Sequence, residues 1–250
     1  MEKQLTRNVK KIADLLEKSS YPVVLTGAGV STESGVPDFR SPGSGLWTVL
    51  DPDLFTIQGF KANPEALYKA GAPFFRQLEQ AEPNQTHTVL AELEKRGLIK
   101  AVITQNVDGL HQKGGSRRVL EIHGTLSRAI CMHCDRQVPI EDVVADVEEG
   151  LLPPRCAECG EPLKPEVIFF GEALSPDYQE ALEEARKADL IMVIGSSMQV
   201  SPANQIPALC DNLVIINRTQ TFYDRSARVV INDSTARVMS LLLEELNQRK

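Results

Sequence analysis

Four cysteines arranged as two short pairs constrain this chain more than any other feature of its sequence. Two residues separate Cys131 from Cys134, the same spacing separates Cys156 from Cys159, and 21 residues lie between the pairs. Two such turns suit a tetrahedral zinc ion, because each turn offers two thiolates and the loop brings the turns together. Four thiolates would fill the coordination shell, so the sequence predicts one structural zinc ion. Two redox pairs or free thiols are the alternative.

The segment around these cysteines, residues 128–165, differs in composition from the rest of the chain. It combines the cysteines with prolines, acidic residues and few apolar runs. We therefore predict an inserted module that interrupts a larger domain. Within it, His133 would be redundant as a metal ligand and is expected to face solvent. Cys210 lies far from the cluster and is predicted to be a small, buried apolar side chain.

Elsewhere, apolar strands alternate with amphipathic helices. In the opening helix Val9, Ile12 and Leu16 recur at helical spacing. The alternation predicts an α/β fold, with a parallel sheet covered by helices on both faces. The predicted strands are 22–26, 98–104, 189–194 and 213–216, and the predicted helices are 2–18, 86–96, 176–188 and the segment that follows Ser234.

Composition and charge narrow the possible partners and compartment. The 250 residues are 42% hydrophobic and 24% charged, which excludes a disordered, collagenous or coiled-coil chain. A net charge of −7 argues against nucleic acid or an anionic membrane as a partner. The charged N-terminus does not resemble a secretion signal. Because one of five cysteines would stay unpaired in any disulfide scheme, we expect a reducing compartment, and therefore a cytoplasmic protein.

Polar residues stand where the predicted strands end. They are Gly27-Ala-Gly29, Thr104-Gln-Asn-Val-Asp108, Gly195-Ser-Ser197 and Asn217. The carboxyl ends of parallel strands form the ligand crevice of an open sheet, so together these residues predict a large polar ligand. Each of them alone could be a turn or a helix cap. Thr32 stands where a dehydrogenase fingerprint needs its third glycine, and the acidic residue that grips ribose is missing, which argues against hydride transfer.

His123 is the candidate general base. It precedes Gly124 at the junction with the cysteine module, and functional sites favour such junctions. Imidazole titrates near neutral pH and is the usual proton acceptor in enzymes. A lone histidine is more often structural, and position alone does not decide. His87 and His111 have weaker cases, because one lies in the first turn of a helix and the other in a polar loop.

Together these motifs resemble the sirtuin family of NAD-dependent protein lysine deacylases. The resemblance extends from about residue 10 to residue 245. It implies a six-stranded Rossmann-like, doubly wound parallel sheet and a smaller domain made of a zinc ribbon and a helical insertion. The implied boundaries are 1–35, 83–125 and 168–250 for the NAD-binding domain, 36–82 for the helical insertion and 126–167 for the zinc ribbon. The motifs in question also include Gly35-Val-Pro-Asp-Phe-Arg40, Pro165-Glu-Val-Ile-Phe-Phe-Gly-Glu172 and Gly195-Ser-Ser-Met198.

The resemblance also implies a role for each site residue, with NAD consumed as a co-substrate. His123 would remove a proton from a ribose hydroxyl, and Asn106 would orient the ribose. Phe39 would shield the reacting sugar and Arg40 would contact the phosphates. The remaining cofactor contacts would come from Ala28, Thr32 and Gln105 at the pyrophosphate and ribose, Val107 and Asp108 at the nicotinamide, and Ser196, Ser197, Asn217 and Asp233 at the adenosine half.

The substrate implied is an acyl-lysine in a protein or peptide, lying as an added strand between two edges of the site. Those edges would be formed by Val167, Phe169, Phe170 and Gly171 on one side and by Met198 and Gln199 on the other. Asp38 is present, and Tyr68 and Arg76 lie eight residues apart, which favours simple acyl groups such as acetyl over acidic ones. We expect a monomer. The alternatives are ADP-ribosyl transfer to protein and a non-enzymatic zinc-ribbon adaptor or NAD sensor.

Overall fold

A computed structural model describes residues 2–39, 41, 43 and 45–249. Its larger part is a layered α/β unit, and its strands and helices alternate along the chain. The strands are β1 (Pro22–Thr26), β2 (Ala101–Thr104), β3 (Val119–Glu121), β4 (Gly124–Cys131), β5 (Gln137–Pro139), β6 (Leu163–Val167), β7 (Leu190–Ile194), β8 (Leu213–Ile216) and β9 (Val229–Ile231). The α-helices are α1 (Glu2–Lys18), α2 (Ile57–Ala62), α3 (Pro64–Glu79), α4 (Gln85–Lys95), α5 (Leu110–Lys113), α6 (Ile140–Glu148), α7 (Pro176–Lys187) and α8 (Thr235–Gln248).

The main sheet has six parallel strands in the order β3-β2-β1-β7-β8-β9. The chain leaves β1 in one direction to β2 and later returns on its other side as β7. The strand order therefore reverses at β1, and the crevice beyond the carboxyl end of that strand is where such sheets bind ligands. Thr26 at the end of β1 is level with Thr104 of β2 and Ile194 of β7. This confirms the doubly wound parallel sheet.

Apolar clusters cover both faces of the sheet, which explains why its central strands are apolar throughout. On one face, α1, α4 and α8 place Ile12, Leu90 and Leu242 against the sheet. On the other face, α7 and the short helix Ala203–Leu209 contribute Ala181 and Ile206. Side chains of a strand alternate between faces, so a strand buried on both sides needs a continuous apolar run.

The smaller part of the molecule has its own sheet and its own core. Its strands are antiparallel in the order β5-β4-β6. Helix α6 packs against this sheet, α3 packs on α6, and α2 packs on α3. Phe60, Tyr68, Val143 and Phe169 lie in the core that these elements share. The cysteine module and the helical segment before it are therefore packed as one unit. The domain boundaries given above stay a prediction, as does the monomeric state.

Sequence pattern and structure differ at the start of β2 and at the two edge strands of the main sheet. The strand predicted at 98–104 begins only at Ala101, because Gly97 ends α4 at a positive φ of 75° and Leu98 still donates to the Leu93 carbonyl. The three-residue strands β3 and β9 are too short to leave a pattern. Within the described residues, no helix is long and apolar enough to cross a membrane.

Candidate active site

The floor of the site is formed where the ends of β1 and β7 touch. The Gly29 amide donates to the Gly195 carbonyl at 2.8 Å. A Cβ at position 29 would lie 2.7 Å from that oxygen, closer than real carbon contacts allow. Gly195 itself has a positive φ of 64°, a conformation that favours glycine. The glycines therefore let two strand ends approach closely and leave open space above them.

That space is a cavity of about 830 Å³ along the carboxyl ends of the strands. Backbone amides and small polar side chains line it, as a large hydrogen-bonding ligand requires. The predicted cofactor residues that line it are Ala28, Thr32, Phe39, Gln105, Asn106, Ser196, Ser197 and Asn217. Gln105 and Ser196 are joined directly, since the Gln105 amide donates to the Ser196 hydroxyl at 2.9 Å. The sequence did not single out Gln77 or Val200, which also border this cavity.

The loop that follows β2 is held by a network around Ser31. The Asn106 amide donates to the Ser31 hydroxyl at 3.1 Å, and that hydroxyl donates to Asp108 at 2.7 Å. The Asn106 backbone donates to the Thr104 hydroxyl at 3.1 Å. Asn106 is buried, with 7% of its surface exposed. Its side chain is thus fixed before any ligand binds, which is the preorganisation that a positioning residue needs.

Two buried histidines lie behind this network. His87 Nε2 is 3.4 Å from the Ser31 hydroxyl, and His111 Nε2 is 2.9 Å from the Thr26 hydroxyl. Their rings pack edge to face with centroids 4.9 Å apart. Burial lowers the pKa of His87 to about 4 and of His111 to about 3, so both are neutral at physiological pH.

Neither histidine lines a cavity, and the prediction that His111 lies in a polar loop is wrong. That residue lies in α5 with 1% of its surface exposed. For His87, the spacing could have predicted burial. His87 precedes Leu90 by three residues and therefore lies on the same buried face of α4.

His123 is oriented for accepting a proton. Its Nδ1 lies 3.1 Å from the Gln105 carbonyl, and because a carbonyl only accepts, Nδ1 must carry the hydrogen. The Nε2 atom of the neutral ring is then unprotonated. Burial lowers the pKa of His123, and the Gln105 carbonyl partly opposes that shift. The ring is therefore a free base at neutral pH, as a general base must be.

A second, mostly apolar cavity of about 270 Å³ meets the first at His123. Val167, Phe169, Phe170 and Gly171, predicted to contact substrate, line this second cavity. Trp47, the single tryptophan of the chain, packs at 5.1 Å from Phe39 and 5.2 Å from Phe55, and also borders it. Phe39, Gln105, His123 and Val200 line both cavities, so the two spaces share a wall that contains the histidine.

Some of the predicted site residues do not line the cavity in which their predicted role would place them, or lie outside the described residues. Met198 is buried in the core, with 1% exposed, so its side chain does not face a groove. Asp233 is paired with Arg237 at 2.8 Å and does not line either cavity. Val107 lines the apolar cavity and Gln199 the polar one. Arg40 lies outside the described residues.

The four cysteine sulfurs converge at the far end of β4. All four Sγ atoms lie within 4.8 Å of one another, and the closest pairs are 3.4, 3.6 and 3.7 Å apart. A tetrahedral ion with zinc–sulfur bonds of about 2.3 Å separates its sulfurs by about 3.8 Å. The residues therefore fit a structural zinc ion with no position left for water. Cys210 is half-buried and lies outside this cluster.

Fold and site together define a class: a Rossmann-like sheet with a four-cysteine module and a histidine between two cavities. The Sir2 family profile matches residues 27–202. An NAD-dependent protein deacetylase 2 of Caldanaerobacter subterraneus is 45% identical over 228 residues, covering 91% of each chain. One of Sulfolobus acidocaldarius, an NAD-dependent protein deacetylase, is 46% identical over 233 residues, covering 92% of this chain and 91% of that protein. The chain belongs to the Sir2 family.

Solved structures agree with this assignment. A Sir2 complex with p53 peptide and NAD⁺ superposes with a TM-score of 0.89 at 38% identity, covering 96% of this chain and 99% of that one. A structure of Sir2Tm bound to a propionylated peptide gives a TM-score of 0.87 at 37% identity, covering 95% and 98%. These comparisons confirm the family that the sequence motifs indicated.

Proposed function

We propose that this chain is an NAD-dependent protein lysine deacylase that consumes NAD and transfers the acyl group of a modified lysine to ADP-ribose. The observation that carries the proposal is the position of His123, whose proton-accepting nitrogen belongs to a wall shared by a polar and an apolar cavity. A dinucleotide suits the first cavity and an acylated lysine the second. The named relatives and the ligands of the similar structures support the same activity.

The polar cavity would hold the dinucleotide through residues that line it, together with a few that lie outside its described lining. Ala28, Thr32 and Gln105 stand nearest the β1 end and would contact the pyrophosphate and ribose. Ser196, Ser197 and Asn217 would hold the adenosine half, and Asp233, which does not line the cavity, would contact it from outside that lining. Val107 and Asp108 would hold the nicotinamide amide, Asn106 would orient the adjoining ribose, and Arg40 would contact the phosphates.

The chain's own residues would then position the reactants and move one proton. When bound, NAD supplies a sugar carbon that loses nicotinamide and accepts the acyl-lysine oxygen. Phe39 borders both cavities and would exclude water from that carbon. His123 Nε2 would remove a proton from a ribose hydroxyl, which then attacks the acyl carbon. Because two ligands must meet in one orientation, positioning supplies much of the rate, and effective molarity can contribute roughly 7–11 kcal/mol.

The apolar cavity favours uncharged acyl groups. Its described lining includes Leu67, Phe74 and Leu126, and none of its described lining residues is lysine or arginine. A carboxylate placed there would lose its hydration without gaining a counter-charge. The peptide backbone would lie beside Val167, Phe169, Phe170 and Gly171, and beside the backbone of Met198 and Gln199 on the other side. We therefore propose acetyl-lysine and similar substrates.

The test is an acetyl-lysine peptide incubated with and without NAD. We expect nicotinamide and free lysine peptide in equal amounts, and no reaction without NAD. His123→Ala should abolish deacylation, whereas His133→Ala, an exposed histidine in the cysteine module, should retain it. Deacylation that survives without NAD would overturn the proposal. So would label from NAD that accumulates covalently on protein with little deacylation.

A further inference from the structure

A buried lysine stands behind the proposed peptide-binding segment, residues 167–171, and the mechanism above does not use it. Only 4% of the Lys164 surface is exposed. An ammonium ion loses much of its hydration at such a depth, so it is retained only where several acceptors surround it. Lys164 lies in β6, level with Ile130 of β4, three residues before the segment begins.

All the acceptors of this ammonium lie within residues 164–172. Nζ donates to the Val167 carbonyl at 2.7 Å and to the Pro165 carbonyl at 3.2 Å. It also pairs with Glu172 at 2.9 Å. In addition, Nζ lies 4.2 Å from the centre of the Phe169 ring, within the range of a cation–π contact. The ammonium thus contacts the Val167 carbonyl at the start of the segment, the Phe169 ring inside it and the Glu172 carboxylate directly after it.

Glu172, which follows the segment directly, binds both Lys164 and the segment backbone. The same carboxylate oxygen that pairs with Lys164 accepts a hydrogen bond from the Phe169 amide at 2.7 Å. The ion pair therefore fixes the Val167 carbonyl at the start of the segment and the Phe169 amide inside it. Charge-assisted bonds of this kind are shorter and more directional than neutral ones.

The segment connects this ion pair to the reacting centre. The Ile168 amide donates to the His123 carbonyl at 2.9 Å, which ties the segment to the backbone of the proposed base. On its other side, Phe170 donates to the Phe55 carbonyl at 2.9 Å and accepts from the Ile57 amide at 3.1 Å. Displacing the segment would therefore move one edge of the peptide groove, the wall of the apolar cavity and the support of His123 together.

We propose that Lys164 and Glu172 are positioning residues for acyl-peptide binding, which together hold residues 167–171 in the conformation that receives the substrate. This rests on the proposed function. Apolar residues in place of both Lys164 and Glu172 would fill the same space, and replacing both members of a buried ion pair often costs little stability, whereas removing one leaves the other uncompensated. Packing alone does not explain a charge at this position, whereas holding inward-facing carbonyls does.

The experiment measures KM for acetyl-lysine peptide and for NAD separately in the zinc-loaded full-length protein. For Lys164→Met we expect the peptide KM to rise at least 10-fold, with the NAD KM within about 2-fold of wild type, since the NAD cavity lacks Lys164. Lys164→Arg keeps the charge and several donors and should bring the peptide KM back to within about 3-fold. Lys69→Met, an exposed lysine of α3, is the matched control and should change neither.

Three results would overturn the positioning role: an unchanged peptide KM in Lys164→Met, equal rises in both KM values, or no recovery in Lys164→Arg. If Lys164→Met fails to fold, Glu172→Gln decides, because the amide can still accept from Phe169 but carries no charge. It should raise the peptide KM at least 3-fold without changing the NAD KM, and no rise would refute the role. If the wild-type protein shows no NAD-dependent deacylation, the proposed function itself fails.

Discussion

Replacing Gly29 by alanine should separate the ends of β1 and β7 and weaken NAD binding. The added Cβ would lie 2.7 Å from the Gly195 oxygen and 2.9 Å from its Cα, both backbone atoms that cannot rotate away. An ordinary contact begins at 3.4 Å, so the strand ends must move apart by about 0.7 Å. Overpacking of this kind costs about 1–3 kcal/mol. If that cost falls on the ligand-binding conformation, the NAD dissociation constant rises about 5- to 150-fold.

Calorimetric titration with NAD, together with the NAD KM of deacylation, measures this effect. Gly97→Ala is the matched control, because it also adds one methyl group but has no heavy atom within 4 Å of the new Cβ. Its φ of 75° makes it lose about 1 kcal/mol of stability while NAD binding stays unchanged. Wild-type affinity in Gly29→Ala would show that the two strand ends do not form the floor of the cofactor site.

Three further predictions concern the cysteine cluster, the proposed base His123 and the buried pair His87 and His111. Cys156→Ser should lose zinc and lower the melting temperature by about 10 °C, whereas Cys210→Ser should change neither the zinc content nor the melting temperature. Metal analysis and thermal melting measure both effects. A Cys156→Ser protein that lacks zinc but melts normally would contradict the structural role of the ion. Because burial lowers the pKa of His123 in the free protein, the acid limb of kcat/KM for deacylation should have its midpoint below the ordinary 6.5, and a midpoint above 6.5 would refute that. Between pH 6.5 and about 4, His87 and His111 become protonated in the unfolded chain but stay neutral in the folded protein. The free energy of unfolding should therefore fall as the pH decreases, by up to about 1.4 kcal/mol per pH unit for each histidine. Urea unfolding at two pH values should show a shallower fall in His111→Asn, and an equal fall would contradict this.

Much of the fold could be predicted because the central strands are buried on both faces. The strands at 22–26 and 213–216 have the predicted bounds, since each is an unbroken apolar run closed by a polar residue or a glycine. The edge strands β3 and β9 could not be predicted from pattern, because three residues are too few for any periodicity. Their existence followed only from the family resemblance.

The candidate site divides in the same way, between residues next to a strand end and residues brought in from elsewhere. Asn106 and Ser196 could be identified because each follows a strand directly. Trp47 could not, since it reaches the cavities from a segment whose position depends on contacts with Phe39 and Phe55. The burial of His111 could not be predicted, because a buried histidine has no distinguishing neighbours in sequence and only its packing against His87 shows it.

The four-cysteine cluster is connected to the site through the pairing of β4 with β6, whose register shifts between Gly124 and Ala129. Cys131 at the end of β4 pairs with Leu163 of β6, and Gly124 at the start of β4 pairs with Val167. A Cβ at Gly124 would lie 2.2 Å from a carbonyl of β6, so these two strands meet closely next to His123. An ion that holds the cysteines fixes one end of this pair of strands, and the proposed base precedes β4 at the other end. Loss of the ion should therefore reach the site as a change in strand pairing, although no cysteine lines either cavity.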